Sequence, residues 1–303
     1  MNIVKSIEKL KIGKVEKNVS LKKYTTYRAG GTAKVIVSPK SIDKLLELLK
    51  LLKDNNVEYK ILGNGSNLIF NDNVYEPVLI KLNDINHCDI NNNVITVGAG
   101  YSLISLAMRV SRLGLTGMEF ATGIPGTVGG AVYMNAGAYL SDVSKVIDKV
   151  TFLDENFEIK TLEKKDLDYS YRHSIFMSNN WIILKAYFTL EKANADEMTE
   201  LINDRKRRRI ESQPLEYPSA GSVFRNPEGM YAGKLIEDCN LKGYVYGGGE
   251  ISSKHANFIV NKGNATSGDI KYLMDLARNE VLKKYNIKLH REQELFNFGD
   301  NYE

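Results

Sequence analysis

Apolar and polar residues alternate with two different periods along the chain, which predicts a mixture of strands and helices. Residues 57–61 and 94–97 alternate as half-buried strands do. Residues 42–55 instead repeat apolar positions every three or four residues behind Ser41, a residue type that caps helices. The same patterns predict further strands at 34–37, 78–82, 150–153, 157–159, 182–190 and 258–260, and further helices at 102–114, 196–210 and 269–285.

The order of these elements divides the chain into three parts. A strand, helix and strand precede the first glycine-rich loop, and polar residues 191–197 follow the last strand of the middle part. We therefore predict an α+β protein with domains at residues 1–77, 78–192 and 193–303.

Glycine is concentrated in residues 117–139, among apolar residues that indicate a buried, ordered segment. Glycine lets a backbone turn with positive φ or approach a bound molecule closely. Two further glycine-rich loops, 63–67 and 98–100, each follow a predicted strand, and the second opens the helix capped by Ser102 and ended by Gly114. Each loop alone is equally well explained as a structural turn, but together they favour a nucleotide-like ligand whose phosphates bind backbone N–H groups.

Composition limits the possible classes of protein. The 303 residues are 43% hydrophobic and 26% charged, which is typical of a globular chain of two or three domains. Two cysteines are too few for a disulfide framework, and the four histidines lack the spacing of a metal site. The first ten residues do not form a secretion signal, and no later run is long enough to span a bilayer, so we predict a cytoplasmic protein without membrane insertion.

The basic run 205–209 raises the question of nucleic acid binding. Apolar and acidic neighbours place it on the solvated face of a helix end, where cations suit the helix dipole. A net charge of +4 does not support a nucleic acid partner. A contact to a substrate phosphate is the better functional alternative.

Several motifs occur in an order that resembles the UDP-N-acetylenolpyruvoylglucosamine reductase family, from about Tyr24 to Glu292. The family's members are flavoenzymes of peptidoglycan synthesis that use NADPH to reduce an enolpyruvyl ether to a lactyl ether. A short stretch between Phe176 and Ser219 is similar to the family's shorter subclass. The motifs that carry the resemblance are residues 24–31, 63–67, 117–139, 171–176, 219–227 and 254–261.

The resemblance implies a two-part FAD-binding fold of the vanillyl-alcohol oxidase type, followed by a C-terminal α/β substrate-binding domain. It assigns residues 63–67 to the pyrophosphate of FAD and 117–130 to the ribityl chain and ring, with Tyr24 or Arg28 near the flavin. Asn67 stands where some relatives have a histidine that tethers the flavin, so non-covalent FAD is expected. The implied cofactor-binding residues are Tyr27, Arg28, Gly63, Asn64, Gly65, Ser66, Asn67, Gly117, Thr122, Gly123, Ile124, Pro125, Gly126, Gly129, Gly130 and Ala131.

The resemblance also implies three catalytic residues. Arg172 matches the family's arginine that stabilises negative charge on the substrate carboxylate, although a salt bridge to Asp166 or Asp168 would explain it structurally. Ser222 matches the proton-donating serine. The catalytic glutamate is Glu292 when counted forward from the preceding helix and Glu294 when counted back from Phe298-Gly299; we favour Glu292 and expect both on one face of a strand.

Substrate binding is assigned by resemblance to Arg225, Asn226, Lys234 and Lys254. The implied partners are UDP-N-acetylglucosamine enolpyruvate and NADPH, without metal or nucleic acid, and the sequence leaves the oligomeric state open. Two alternatives stay open: another FAD-dependent sugar oxidoreductase of the same fold, which would react with oxygen and ignore NADPH, and a non-catalytic protein that binds a UDP-sugar.

Overall fold

The computed structural model describes residues 3–299, which form short strands and a few longer helices. The helices are α1 (Ile3–Lys9), α2 (Ile42–Asp54), α3 (Leu103–Arg112), α4 (Val128–Tyr133), α5 (Ala195–Ser212), α6 (Ala232–Asp238) and α7 (Ser267–Tyr285). The strands are β1 (Gly13–Ser20), β2 (Thr32–Pro39), β3 (Tyr59–Ile61), β4 (Leu68–Phe70), β5 (Val74–Tyr75), β6 (Val78–Ile80), β7 (Cys88–Asn91), β8 (Val94–Gly98), β9 (Leu115–Thr116), β10 (Gly137–Ala138), β11 (Ser141–Asp142), β12 (Ile147–Leu153), β13 (Ile159–Glu163), β14 (Ile182–Thr189), β15 (Glu191–Lys192), β16 (Val245–Tyr246), β17 (Gly249–Ile251), β18 (Ile259–Asn261) and β19 (Glu294–Phe296).

The chain divides into two compact units, and each is built from separated segments. The first unit contains the chain up to Lys17 with Val35–Asn64 and Pro77–Lys206, and the second contains Asn18–Lys34, Gly65–Glu76 and the chain from Arg207 onward. The three-part division at residues 77 and 192 stays a prediction.

The first unit contains a parallel and an antiparallel sheet. In the first of these sheets β6 pairs in parallel with β2 and with β3, and β1 lies next to β2. Helix α2 has one apolar face, as its sequence period predicts. The buried side chains of that face lie in one hydrophobic core with those of β2 and β6: Leu45, Leu48, Leu49 and Leu52. The antiparallel sheet has the order β13-β12-β14-β8-β7, and its buried residues join that core.

The second unit is organised around α7 and a small antiparallel sheet, β16-β17-β18. A parallel pair, β4 with β19, brings Leu68 opposite Glu294. Its core includes residues from distant parts of the sequence, such as Tyr27, Ile69, Phe224 and Leu273.

Helix ends follow the sequence signals closely. The side chains of Ser41 and Ser102 accept hydrogen bonds from the backbone N–H groups of Lys44 and Ser105, as N-caps do. Gly114 has φ of 69° just after α3, which confirms it as the terminating glycine.

Three details of the predicted strands are wrong. Ile61 is exposed although the alternating pattern predicted burial. Phe157 has φ of 66° and lies in the turn before β13, which begins only at Ile159. Glu292 precedes β19, so Glu292 and Glu294 do not share a strand.

Candidate active site

The loop at residues 98–100 is structural, so the prediction of an anion site there is wrong. The backbone N–H groups of Gly98, Ala99 and Gly100 all donate to protein carbonyls. A Cβ on Gly100 would lie 1.8 Å from the carbonyl oxygen of Leu82. These glycines therefore permit close packing of the chain on itself, and their donors are already used.

The loop at residues 63–67 has the opposite character. Among the hydrogen bonds within residues 3–299, none has the backbone N–H of Gly63, Asn64, Gly65 or Ser66 as its donor. Gly65 has φ of 62°, and a Cβ there would lie 2.0 Å from the carbonyl oxygen of Tyr24. A run of unused N–H groups in a glycine turn fits a phosphate group, so these residues suit the pyrophosphate of FAD.

The two ends of this loop are anchored by their oxygen atoms. In the first unit the buried Lys81 donates to the carbonyl of Gly63 at 2.8 Å. In the second unit the carbonyl of Gly65 accepts the N–H of Thr26 at 3.0 Å. The carbonyls of Gly63 and Gly65 thus accept hydrogen bonds from the protein, whereas the backbone N–H groups of this loop can donate to a ligand.

The side chain of Lys81 was not singled out by the sequence. It is 9% exposed, and burial lowers the pKa of Lys81 to about 8, with the charge of Glu16 acting in the opposite direction. Its position one residue after β6, in an apolar strand context, is the signal that could have identified it.

The glycine-rich segment lies entirely in the first unit and combines packing with accessible backbone. Gly129 donates to the carbonyl of Ala99 at 2.8 Å, and Thr127 caps α4 by accepting the N–H of Gly130. Ala131 is buried in α4 and Gly117 has φ of 118°. Between these anchors, the stretch proposed to contact the cofactor is half-buried or exposed: Thr122, Gly123, Ile124, Pro125 and Gly126.

Arg172 occupies a two-residue turn between Ser170 and His173 and has φ of 56°. Its Nη2 donates to the carbonyl of Gly137 at 2.9 Å, and its guanidinium carbon lies 5.2 Å from the ring centre of Tyr171. The buried Asn135 supports this turn by donating to the carbonyl of Ser170. The guanidinium is therefore fixed at one edge by a backbone oxygen.

In the second unit, Ser222 and Glu292 lie on two adjoining chain segments. The N–H of Glu292 donates to the carbonyl of Val223 at 2.9 Å, and Phe224 pairs with Arg291 in an isolated antiparallel bridge. Ser222 therefore directly precedes the residue whose carbonyl accepts the N–H of Glu292. Glu294 instead donates its N–H to the carbonyl of Asn67 at 3.0 Å.

Gln293 is a site residue that the sequence analysis missed. It is 3% exposed, its Nε2 donates to the carbonyls of Ala220 and Gly221, and its Oε1 accepts the hydroxyl of Tyr27 at 3.0 Å. Asn257 plays a similar part by bonding both backbone groups of Phe224. No pattern distinguishes these amides from surface residues, because their bonds join distant segments.

Two residues of the implied cofactor set differ in accessibility. Tyr27 is fully buried, and burial raises the pKa of its hydroxyl, which is bonded to Gln293. Arg28 is exposed with φ of 54°. Of these two residues, Arg28 is therefore the one whose side chain lies outside the core of the second unit.

The implied substrate-binding residues are partly engaged within the protein. Lys234 pairs with Asp238 at 2.6 Å along α6, and Lys254 donates to the carbonyl of Ile210 at 2.5 Å. Asn226 accepts the N–H of Ala232 and thereby caps α6. The Nε of Arg225 is buried without a hydrogen-bond partner in the described part of the chain, so it is available to an added acceptor.

Within residues 3–299, no group of three or more His, Cys, Asp or Glu side chains is placed to hold a metal ion. Nor does any helix in that range combine the length and apolar character needed to cross a membrane.

Known proteins match both parts of the chain. Residues 33–163 match the family described as FAD binding domain, and residues 213–296 match the UDP-N-acetylenolpyruvoylglucosamine reductase C-terminal domain. The UDP-N-acetylenolpyruvoylglucosamine reductase of Clostridium novyi is 43% identical over 92% of this chain and 91% of its own length. The enzyme of that name from Caldanaerobacter subterraneus is 43% identical over 94% of each chain.

Solved structures agree with the sequence relatives. The UDP-N-acetylenolpyruvylglucosamine reductase of Thermus caldophilus superposes with a TM-score of 0.81 at 31% identity, covering 93% of this chain and 99% of that one. A BBE-like 1 variant from Physcomitrella patens, at 16% identity and a TM-score of 0.50, covers 63% of this chain and 45% of its own and shares the fold alone. The predicted fold class, an FAD-binding fold with a C-terminal substrate-binding domain, is confirmed. By identity and coverage, the chain belongs to the UDP-N-acetylenolpyruvoylglucosamine reductase family.

Proposed function

We propose that this protein reduces UDP-N-acetylglucosamine enolpyruvate to UDP-N-acetylmuramate, a precursor of peptidoglycan, with NADPH as reductant and FAD as cofactor. The observation that carries the proposal is the backbone bond between Glu292 and Val223, which places Glu292 beside Ser222 in a chain related to the reductases over most of its length. Bound FAD supplies the hydride relay from NADPH to the substrate.

The unused N–H groups of residues 63–66 bind the pyrophosphate of FAD in this proposal. Asn67 has no nucleophilic atom able to form a flavin bond, and its Nδ2 donates to the carbonyl of Glu292. The cofactor is therefore dissociable. Acid precipitation should leave the yellow colour in the supernatant, and a yellow pellet would contradict a non-covalent cofactor.

Arg172 binds the carboxylate of the enolpyruvyl group in this proposal. Negative charge increases on that carboxylate when hydride arrives at the terminal carbon, and a fixed cation stabilises it most when it needs no reorientation. The bond from Nη2 to the carbonyl of Gly137 supports this role because it fixes the orientation of a planar cation that suits a carboxylate.

Ser222 delivers the proton that completes the reduction. A serine hydroxyl is a weak acid, so a neighbouring group must polarise it or return its proton. Glu292 is the candidate for that group, since its backbone is bonded beside Ser222 and that of Glu294 is bonded to Asn67.

Arg225, Asn226, Lys234 and Lys254 bind the UDP part of the substrate in this proposal. The buried Nε of Arg225 supports an anion nearby. Lys234 is 67% exposed and would exchange Asp238 for a phosphate, at little cost for a surface pair.

We also propose a cytoplasmic location. Both cysteines, Cys88 and Cys239, are free, as expected for a protein of a reducing compartment.

An anaerobic two-step experiment tests the function. NADPH should bleach the purified yellow protein, and UDP-N-acetylglucosamine enolpyruvate should then restore the colour. Bleaching without restoration would indicate a different sugar substrate, and protein purified without flavin would contradict the proposal.

A further inference from the structure

The hairpin formed by β10 and β11 is held in a conformation that its own sequence does not favour. Gly137 pairs with Asp142 and Ala138 with Ser141, so Tyr139 and Leu140 form a two-residue turn. Both have positive φ, 54° and 60°, a combination typical of Asn-Gly turns. Because L-residues with large side chains disfavour this region, contacts outside the turn must hold the hairpin in place.

Lys145 donates to the carbonyl of Leu140, and further contacts to the turn come from α5. The hydroxyl of Tyr139 donates to the carbonyl of Arg205 at 2.9 Å, and the guanidinium carbon of Arg205 lies 4.8 Å from the ring centre of Tyr139. The Nη1 of Arg205 is buried without a hydrogen-bond partner in the described residues. A guanidinium placed over a ring at this distance obtains a cation–π contact instead.

The opposite end of the same hairpin holds Arg172. The carbonyl that accepts its Nη2 belongs to Gly137, two residues before Tyr139. A Cβ on Gly137 would lie 2.4 Å from the carbonyl oxygen of Ser141, so the backbone there has little room to shift. A change at the tip of the hairpin is therefore transmitted to the oxygen that orients Arg172.

We propose that Tyr139 and Arg205 are positioning residues for Arg172, acting as a latch that keeps the hairpin, and with it the Gly137 carbonyl, in place. This inference rests on the proposed function of Arg172. Arg205, the first residue of the basic run 205–209, would then contact Tyr139 within the protein and not a substrate phosphate.

Tyr139→Phe removes the hydroxyl and keeps the ring, whereas Arg205→Met removes the cation and keeps the backbone acceptor. Each should slow reoxidation of the reduced enzyme by substrate about tenfold, because a rate change of that size corresponds to the free energy of one hydrogen bond or cation–π contact. Reduction of the flavin by NADPH should be unchanged. In an Arg172→Met background, Tyr139→Phe should have no further effect.

Tyr187→Phe is the matched control. The hydroxyl of Tyr187 also takes part in a hydrogen bond, which it accepts from Thr151 at 3.3 Å, and Lys149 lies 5.2 Å from the centre of its ring. Tyr187 lies on β14, away from the hairpin. It should leave both half-reactions unchanged. The proposal would be overturned if Tyr139→Phe or Arg205→Met lowered the rates of both half-reactions equally. It would also be overturned if Tyr139→Phe lowered the reoxidation rate as much in the Arg172→Met background as it does alone.

Hydrogen exchange gives a second readout that does not need turnover. In the holoenzyme, Tyr139→Phe should raise exchange in a peptide covering residues 136–145, and Tyr187→Phe should not. If exchange rises in Tyr139→Phe but the substrate does not reoxidise the reduced protein without substitutions, the role of Tyr139 in holding the hairpin is supported and the proposed function is contradicted. Unchanged exchange would contradict the latch whatever the activity.

Discussion

The side-chain amide of Asn67 donates to the backbone carbonyl of Glu292 at 2.9 Å, although 225 residues separate them. The glycine loop expected to hold the cofactor's pyrophosphate and the segment carrying the candidate acid–base glutamate are therefore bonded to each other.

Asn67→Ala should slow the reoxidation half-reaction and lower the free energy of unfolding by about 1 to 2 kcal/mol, because a carbonyl loses its donor. Stopped-flow kinetics and chemical denaturation measure the two effects. Asn93→Ala removes a similar bond, to the carbonyl of Leu190 at 2.8 Å, away from the loop. A kinetic loss of the same size in that control would contradict a specific role for Asn67.

Ser222→Ala should leave the reduction of the flavin by NADPH nearly normal and slow its reoxidation by substrate at least a hundredfold, as expected when a general acid is lost. Anaerobic stopped-flow absorbance of the flavin separates the two steps. The assignment fails if both steps slow together.

Glu292→Gln should have the larger effect on reoxidation, and Glu294→Gln should change it less than tenfold, because the backbone of Glu292 is bonded beside Ser222. Both variants keep the shape and hydrogen-bonding capacity of the side chain. The reverse order of effects would transfer the role to Glu294.

Lys81 should make stability depend on pH. Its folded pKa of about 8 lies below the ordinary lysine value of 10.5, so the unfolded chain binds more protons between these values and stability rises with pH across that window. The penalty is fully present below about pH 8 and amounts to at most about 3 kcal/mol.

Thermal unfolding from pH 7.5 to 10 checks this effect. Lys81→Met should flatten the rise, and the exposed Lys60→Met serves as its control. An unchanged slope in Lys81→Met would show that other groups produce the pH dependence.

Gly100→Ala and Gly63→Ala should separate structural from cofactor-binding glycines. A methyl group on Gly100 meets the Leu82 carbonyl oxygen at 1.8 Å, so this change should cost on the order of 3 kcal/mol of stability. At Gly63 the nearest atom is Thr127 Oγ1 at 3.1 Å, and the main effect should be weaker FAD binding. Flavin fluorescence during titration and denaturant unfolding distinguish the two outcomes.

Much of this fold follows from local signals in the sequence. The helices capped by Ser41 and Ser102 begin where predicted, since a cap and an apolar period act over a few residues. The three glycine loops could not be told apart in the same way. Whether Gly63 or Gly98 uses its N–H internally depends on which distant carbonyl packs against it.

The candidate site shows the same limit. Motif order led to the proposal of Arg172, Ser222 and Glu292, and the residues that bond to their segments were not predicted. Gln293 and Gly137 act through bonds to segments far along the chain. Such long-range hydrogen bonds produce no periodic pattern or characteristic residue spacing by which the sequence could reveal them.

The interleaved construction of the two units determines when the protein can fold. Strand β4 obtains its partner β19, and Tyr27 its partner Gln293, only after synthesis has reached segments more than 200 residues further along the chain. Folding of the second unit on the ribosome must wait for these distant segments, so its early segments stay exposed to chaperones and proteases during translation. A chain that stops before Gln293 loses the contacts that complete this unit, so its segments up to that residue should not reach the folded state.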